Sequence, residues 1–306
     1  MYFKSLPDHT APGFDEQLHF SKFKKHNIIF NALTSKSHCD DHVGCLSLKT
    51  VLSGEEWYGV NKRRLAVRPG QFLILNDDQN YSCNVDAAGK VRVLSVFFKK
   101  EFAASVFSDT LHNEETALDS PFDAKSNVPE FFQTLNQIDA PLHQQVTGLI
   151  DDLETQGYND WMVDEHLVFM MRHLMTVHKT ELKLAGRVDA IKTHTKTEIH
   201  KRLCIARDLL HSSFTEGLDL HTISSEACLS IPQLVRQFKV VFQITPHQYL
   251  TRIRLAHATG LLKQTSLPVH EITWMCGFEN TSAFCRAFKT AFGVQPLTFR
   301  SGYTQN

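Results

Sequence analysis

Two pairs of basic residues stand at matching places in the last third of the chain. Arg236 and Lys239 lie among Leu234, Phe238 and Phe242, and Arg286 and Lys289 lie among Phe284, Phe288 and Phe292. All five positions repeat at an offset of 50 residues, too regular for chance. The apolar members recur at helical spacing, which places the arginines on the opposite face. An outward guanidinium can donate two parallel hydrogen bonds to guanine, at about 1–3 kcal/mol of discrimination. The plainer reading is solvated arginines paired with Glu226 and Glu279.

Each pair follows a short helix and a tight turn, Ile223–Ser230 in the first copy and Ile272–Phe278 in the second. Two helices meeting through such a turn form a helix-turn-helix, whose second helix enters the DNA major groove. Near the start of each second helix, the groove-facing candidates are Ile231, Pro232, Gln233, Val235 and Arg236, then Asn280, Thr281, Ser282, Cys285 and Arg286. Ile231, Pro232 and Val235 suit thymine methyl groups. Lys239, Arg252, Lys289 and Arg300 suit the phosphate backbone.

Pro246–Lys263 joins the copies. As a helix it is roughly 27 Å long, which suits two recognition helices about 34 Å apart, in successive major grooves. Its own apolar residues (Leu250, Ile253, Ala258, Leu261, Leu262) are expected to pack into both copies.

The stretch Leu218–Arg300 resembles the DNA-binding domain of the AraC/XylS family of bacterial transcription regulators. The resemblance is carried by Leu229-Ser230, Thr245-Pro246, Tyr249-Leu250, Arg254-Leu255, Gly277-Phe278 and Phe292-Gly293-Val294-Gln295-Pro296. It implies a sequence-specific regulator in a bacterial cytoplasm, bound to double-stranded DNA and activating through RNA polymerase. Cys228 and Gln243 stand where the family has glycine, so a left-handed backbone there would cost on the order of 1 kcal/mol. Ser224 and Thr273 replace alanines between close-packed helices.

The elements that precede these copies set the architecture. Short β runs (Asn27–Leu33, Cys45–Leu52, Trp57–Val60, Leu65–Val67, Phe72–Leu75, Val91–Phe98) are separated by turn residues, as in a small barrel or sandwich. Helical periodicity begins after Pro121, in helices bearing Leu142–Leu153 and Val163–Leu182. The expected fold class is α+β in two domains. Residues 1–185 form a sensor domain with dimerisation helices at about 130–183, 186–196 are a linker, and 197–306 are the DNA-binding domain, seven helices with two helix-turn-helix units. Val51–Gly54 and Arg68–Leu75 resemble the cupin-like sensor domain of many family members, which implies a β-barrel enclosing a small-molecule effector. Pocket candidates are His42, Trp57, Tyr58, Phe72 and Tyr81. The likeness also implies a homodimer.

No P-loop, nucleophile elbow or dinucleotide loop occurs, so neither a cofactor nor an enzyme is expected. His38 and His42 have a helical ligand spacing in what reads as loop and strand, so a polar loop is expected there and no metal. The alternatives are a sensor domain that binds a protein, or a metal cupin enzyme with a helical appendage. Seven cysteines without a C-x-x-C pair argue against a disulfide framework or zinc ribbon. No apolar run approaches the roughly 18 residues that span a bilayer, and Met1–Thr10 has no secretory pattern. A net charge of −1 hides a split: from Thr193 onward 12 Lys/Arg face 7 Asp/Glu. The basic excess lies with the proposed DNA-reading copies.

Overall fold

The computed structural model describes residues 1–7, 14–111 and 128–303. Pro121, where helical periodicity is expected to begin, lies outside them. The chain divides into two compact bodies, Met1–Leu182 and Lys183–Asn306.

In the N-terminal body, eight strands build one sheet: β1 (Tyr2–Phe3), β2 (Ile28–Gly44), β3 (Ser47–Ser53), β4 (Glu56–Val60), β5 (Arg63–Val67), β6 (Gln71–Leu75), β7 (Gln79–Phe97) and β8 (Leu135–Gln137). The main path runs β1-β2-β7-β3-β6-β8, with β4 pairing both β5 and β7. Strand β7 has β2 along one side, and β4 then β3 along the other. Among the described residues β5 pairs only with β4 and β8 only with β6, so the sheet curls without closing. The expected barrel is an open, curled sheet.

Strands β2 and β7 are far longer than their apolar runs suggest. They stay in antiparallel register from Ile28↔Phe97 to Gly44↔Gln79, with irregularities after Thr34 and Cys39. Backbone hydrogen bonds carry the pairing through polar stretches that hydrophobic pattern cannot mark. The expected polar loop at His38–His42 is therefore strand, bulged between Cys39 and His42.

Alternation gives the sheet two buried faces. One, with Leu48, Phe72, Ile74, Leu94 and Val96, packs against α2 (Lys100–Leu111), α3 (Ala140–Thr155) and α4 (Asp160–Gly186). Asp139 caps α3 by accepting from the Leu142 N–H at 3.0 Å, and Pro141 opens its first turn. The α3 and α4 stripes, Leu142 to Leu153 and Val163 to Met175, pack back onto this face. The other face holds Val51, Tyr58, Leu73, Leu75, Tyr81 and Val93 inside the curl. Helix α1 (Glu16–Lys25) sends Phe23 against Phe30 and Phe97 beside it. Neither α1 nor α2 is legible as a helix in the apolar pattern.

The C-terminal body is helical: α5 (Thr193–Ser212), α6 (Leu220–Glu226), α7 (Ile231–Phe242), α8 (Pro246–Gln264), α9 (Val269–Met275), α10 (Thr281–Phe292) and α11 (Pro296–Tyr303). In place of a free linker, residues 187–189 are tied to α7. Arg187 donates to the Val241 carbonyl at 3.3 Å, and Asp189 exchanges two hydrogen bonds with the buried Gln237 amide, at 3.0 and 3.1 Å. Among the described residues no helix is long and apolar enough to cross a membrane.

Candidate nucleic-acid interface

Helix α8 is seated in two cores at once. Leu250 and Tyr249 join the first, built with Leu203, Leu210, Ile223, Leu234 and Phe238. Leu255, Ala258 and Leu262 join the second, built with Ile272, Phe284 and Phe288. From Leu250 to Leu255 the helix turns by about 140°, so opposite sides of one rod meet the two cores. Its start is fixed by a capping box between Thr245 and Gln248, with Pro246 in the first turn. Its 19 residues span roughly 28 Å at 1.5 Å per residue.

Arg254 supplies a second restraint, which the sequence showed only as a family-like residue. Its guanidinium donates to the carbonyls of Phe214 (2.7 Å) and Glu216 (2.9 Å), and it lies over the Phe278 ring. One side chain of the rod thereby grips the loop before α6 and the turn before α10. Gly277 presses against the same loop: a Cβ there would lie 2.7 Å from the Phe214 carbonyl oxygen and 2.9 Å from Thr215 Cα. These contacts fix the two helix-turn-helix units to each other.

The two turns differ by one residue. The short helices α6 and α9 align at an offset of 49, whereas α7 and α10 align at 50. Glu279 is the added residue, between Phe278 and the cap Asn280. Cys228 (φ +50°) and Gly277 (φ +73°) take the left-handed conformation in the turns, and Gln243 (φ +66°) and Gly293 (φ +77°) take it at the ends of α7 and α10. The fold thus imposes left-handed backbone at both positions where the expected glycine is missing.

Both second helices start from a side-chain cap. Ser230 accepts from the Gln233 N–H at 3.4 Å, and Asn280 accepts from the Ala283 N–H at 2.8 Å. Leu234, Phe238 and Val241 on α7, and Phe284 and Phe288 on α10, face the cores. Opposite them run two matching exposed stripes, Pro232, Arg236 and Lys239, and Ser282, Arg286 and Lys289. Among the described residues, Arg236 and Arg286 make no ion pair or hydrogen bond within the chain, so the alternative pairing with Glu226 and Glu279 is absent.

The other candidates divide. Ile231 is exposed beside the first stripe, and Gln233 and Val235 are half-buried. Asn280 commits its amide oxygen to the cap, Thr281 is half-buried, and Cys285 packs at the edge of the second core. Arg252 is exposed on α8. Arg300, expected at a phosphate, instead donates to the Leu267 carbonyl at 2.5 Å and ties α11 to the segment before α9. Phe292, expected in the core, is 41% exposed and rests on Phe288 and Phe299.

The effector candidates also separate. His42, Tyr58 and Tyr81 line one cavity inside the curled sheet. Phe72 and Trp57 do not: Phe72 points to the helix-covered face, and Trp57 points away from the cavity under the Arg64 guanidinium, 4.5 Å from its ring. Both follow from alternation, since Tyr58 and Leu73 beside them face inward. The bulge after Cys39 inverts this parity and turns His42 inward, its ring 5.0 Å from Tyr81, while His38 stays exposed against Asp40 at 2.8 Å. The two histidines therefore diverge and form no common ligand set.

The cavity also contains groups the sequence reading missed. Lys49 and Glu56 are buried within it. Burial pulls the Lys49 ammonium down to about 8 and pushes the Glu56 carboxyl up to about 7. Cys39 and Cys83 face each other across β2 and β7, and their mutual hydrogen bond, followed by burial, raises the Cys83 thiol well above its ordinary range. A lone lysine in an alternating strand reads as solvent-facing; only the curl of the sheet encloses it.

The chain is similar in sequence to known helix-turn-helix regulators. The helix-turn-helix domain family matches residues 223–302. The probable transcriptional regulator LumQ of Photobacterium leiognathi is 25% identical over 200 residues, covering 63% of this chain and 74% of that protein. The transcriptional activator RhaS of Escherichia fergusonii is 30% identical over 168 residues, covering 54% and 57%. The C-terminal domain of AraT, a response regulator from Geobacillus stearothermophilus, is 32% identical over 33% of this chain and 84% of that structure, with a TM-score of 0.32. The C-terminal end of the chain carries an AraC-type DNA-binding domain. The protein is a DNA-binding regulator of transcription.

Proposed function

We propose that one copy of the chain engages two successive major grooves on one side of a duplex, α7 in one and α10 in the next. Arg236 and Arg286 read guanine, and Pro232, Ser282 and their neighbours contact adjoining base edges. Lys239, Lys289 and Arg252 hold phosphates. The observation that carries this reading is the pair of matching exposed stripes, whose arginines have no partner among the described residues, on two helices joined by one restrained rod.

Residues 197–306 are the DNA-binding domain in this reading, and 1–185 a cupin-like sensor whose small-molecule effector enters the cavity within the curled sheet. Two copies associate through the α3–α4 region, where Trp161 is 89% exposed, and the DNA-bound form activates through RNA polymerase. Hydroxyl-radical footprinting on selected genomic fragments tests the geometry. The expected result is two protected patches per copy, about one helical turn (10–10.5 base pairs) apart. A single patch per copy would refute two-groove engagement.

A further inference from the structure

The cavity inside the N-terminal sheet contains an ammonium with no carboxylate in contact with it: Glu56, in the same cavity, acts on it only through space. Lys49 is 3% exposed, and its Nζ sits 3.5 Å from the centre of the Phe97 ring. Its hydrogen bond goes to the Tyr81 hydroxyl, at a long 3.4 Å. Among the described residues no carboxylate lies within 4 Å of it. An ammonium has three donors, so two remain for a group that enters the cavity. Tyr81 accepts from Lys49 and keeps its own hydroxyl hydrogen to donate. Burial holds that phenol well above its ordinary range, so it stays protonated.

We infer that this cavity binds a small monocarboxylate, one oxygen on the Lys49 ammonium and the other on the Tyr81 hydroxyl. The inference rests on the proposed effector role of the N-terminal body and specifies its ligand class. One ammonium neutralises one charge, and the buried Glu56 carboxyl, which accepts from Tyr58 at 2.7 Å, disfavours a dianion in the same space. Phe23, Phe30 and Phe97 provide the apolar wall for a short alkyl group. The cavity measures about 50 Å³. At about 10–15 Å³ per water, that admits roughly three to five heavy atoms. A buried, underpaired cation also lowers the stability of the empty protein, a cost accounted for by a ligand that satisfies it.

The experiment uses the full chain and thermal unfolding with sodium formate, acetate and propionate. The matching neutral amides serve as controls, with sodium chloride at equal ionic strength. The carboxylates are expected to raise Tm and the controls are not. Equal shifts from amides or chloride, or none from any carboxylate, would overturn the assignment. Lys49→Met is expected to melt about 2–4 °C higher without ligand and to bind the carboxylate at least about tenfold more weakly. A lower ligand-free Tm would mark Lys49 as a structural group and overturn the inference. Glu56→Gln should bind at least as tightly as the native chain, whereas a loss would move the contact to Glu56 and refute the Lys49 site. DNA footprinting with and without the carboxylate separates the two readings. A melting shift with an unchanged footprint supports the site and rejects its effector role; an intact footprint with no melting shift rejects the site alone.

Discussion

In the first helix-turn-helix the left-handed turn residue is Cys228, exposed, with its carbonyl held by Arg202 at 2.9 Å. In the second it is Gly277, and the backbone of Phe214 and Thr215 fills the space where a side chain would begin. Both turns need the same conformation, but only one also needs the absence of Cβ. The first turn faces solvent and tolerates a cysteine at a modest conformational cost. The second forms the joint between the two units, where the backbones come within van der Waals contact. A glycine can thus be a local convenience in one copy of a repeat and a tertiary requirement in the other.

Replacing the joint residue should have the largest effect. Gly277→Ala is expected to destabilise the protein by roughly 3 kcal/mol, adding backbone overpacking to the left-handed cost, as read by urea denaturation. Gly293→Ala is the matched control, since a Cβ there meets nothing within 4 Å, and it should lose only about 1 kcal/mol. Equal losses would erase the distinction between joint and solvent-facing turns.

The two recognition helices should show a smaller effect, divided between them. Arg236→Ala and Arg286→Ala should each lose about 1–3 kcal/mol of discrimination at one base pair, in different halves of the site. Binding measured against a library of single base-pair changes locates each loss. Even weakening across all sequences would reassign that arginine to a phosphate.

The smallest effect should come from making the first turn like the second. Cys228→Gly relieves the left-handed strain but loosens the unfolded chain, for a net gain of about 0.5 kcal/mol. A loss in the same denaturation experiment would show that the Cys228 side chain contributes packing its exposure does not suggest.

How much of this was legible depended on how far each signal travels along the chain. The bounds of α7 and α10 follow from Ser230, Pro232, Asn280 and the 3.6-residue spacing of Leu234, Phe238, Phe284 and Phe288, all within a few residues of one another. The strut declares itself through Thr245-Pro246 and its apolar stripe. The arginine stripes are then set by helical periodicity. In the N-terminal body the same logic reached only as far as the apolar runs, so it missed the polar halves of β2 and β7 and both α1 and α2.

The sequence by itself determined that two reading helices sit 50 residues apart on a common plan, because caps, turns and periodicity are local properties of the chain. Tertiary structure decided what those elements touch. It diverted Arg300 to the Leu267 carbonyl, made Arg254 the grip between the two units, and turned His42 inward through a bulge that inverts strand parity. It also assembled Lys49, Glu56, Tyr58 and Tyr81 from three strands around one cavity. Enclosure and close approach depend on segments that meet only after folding, and no spacing within any one of them records the meeting.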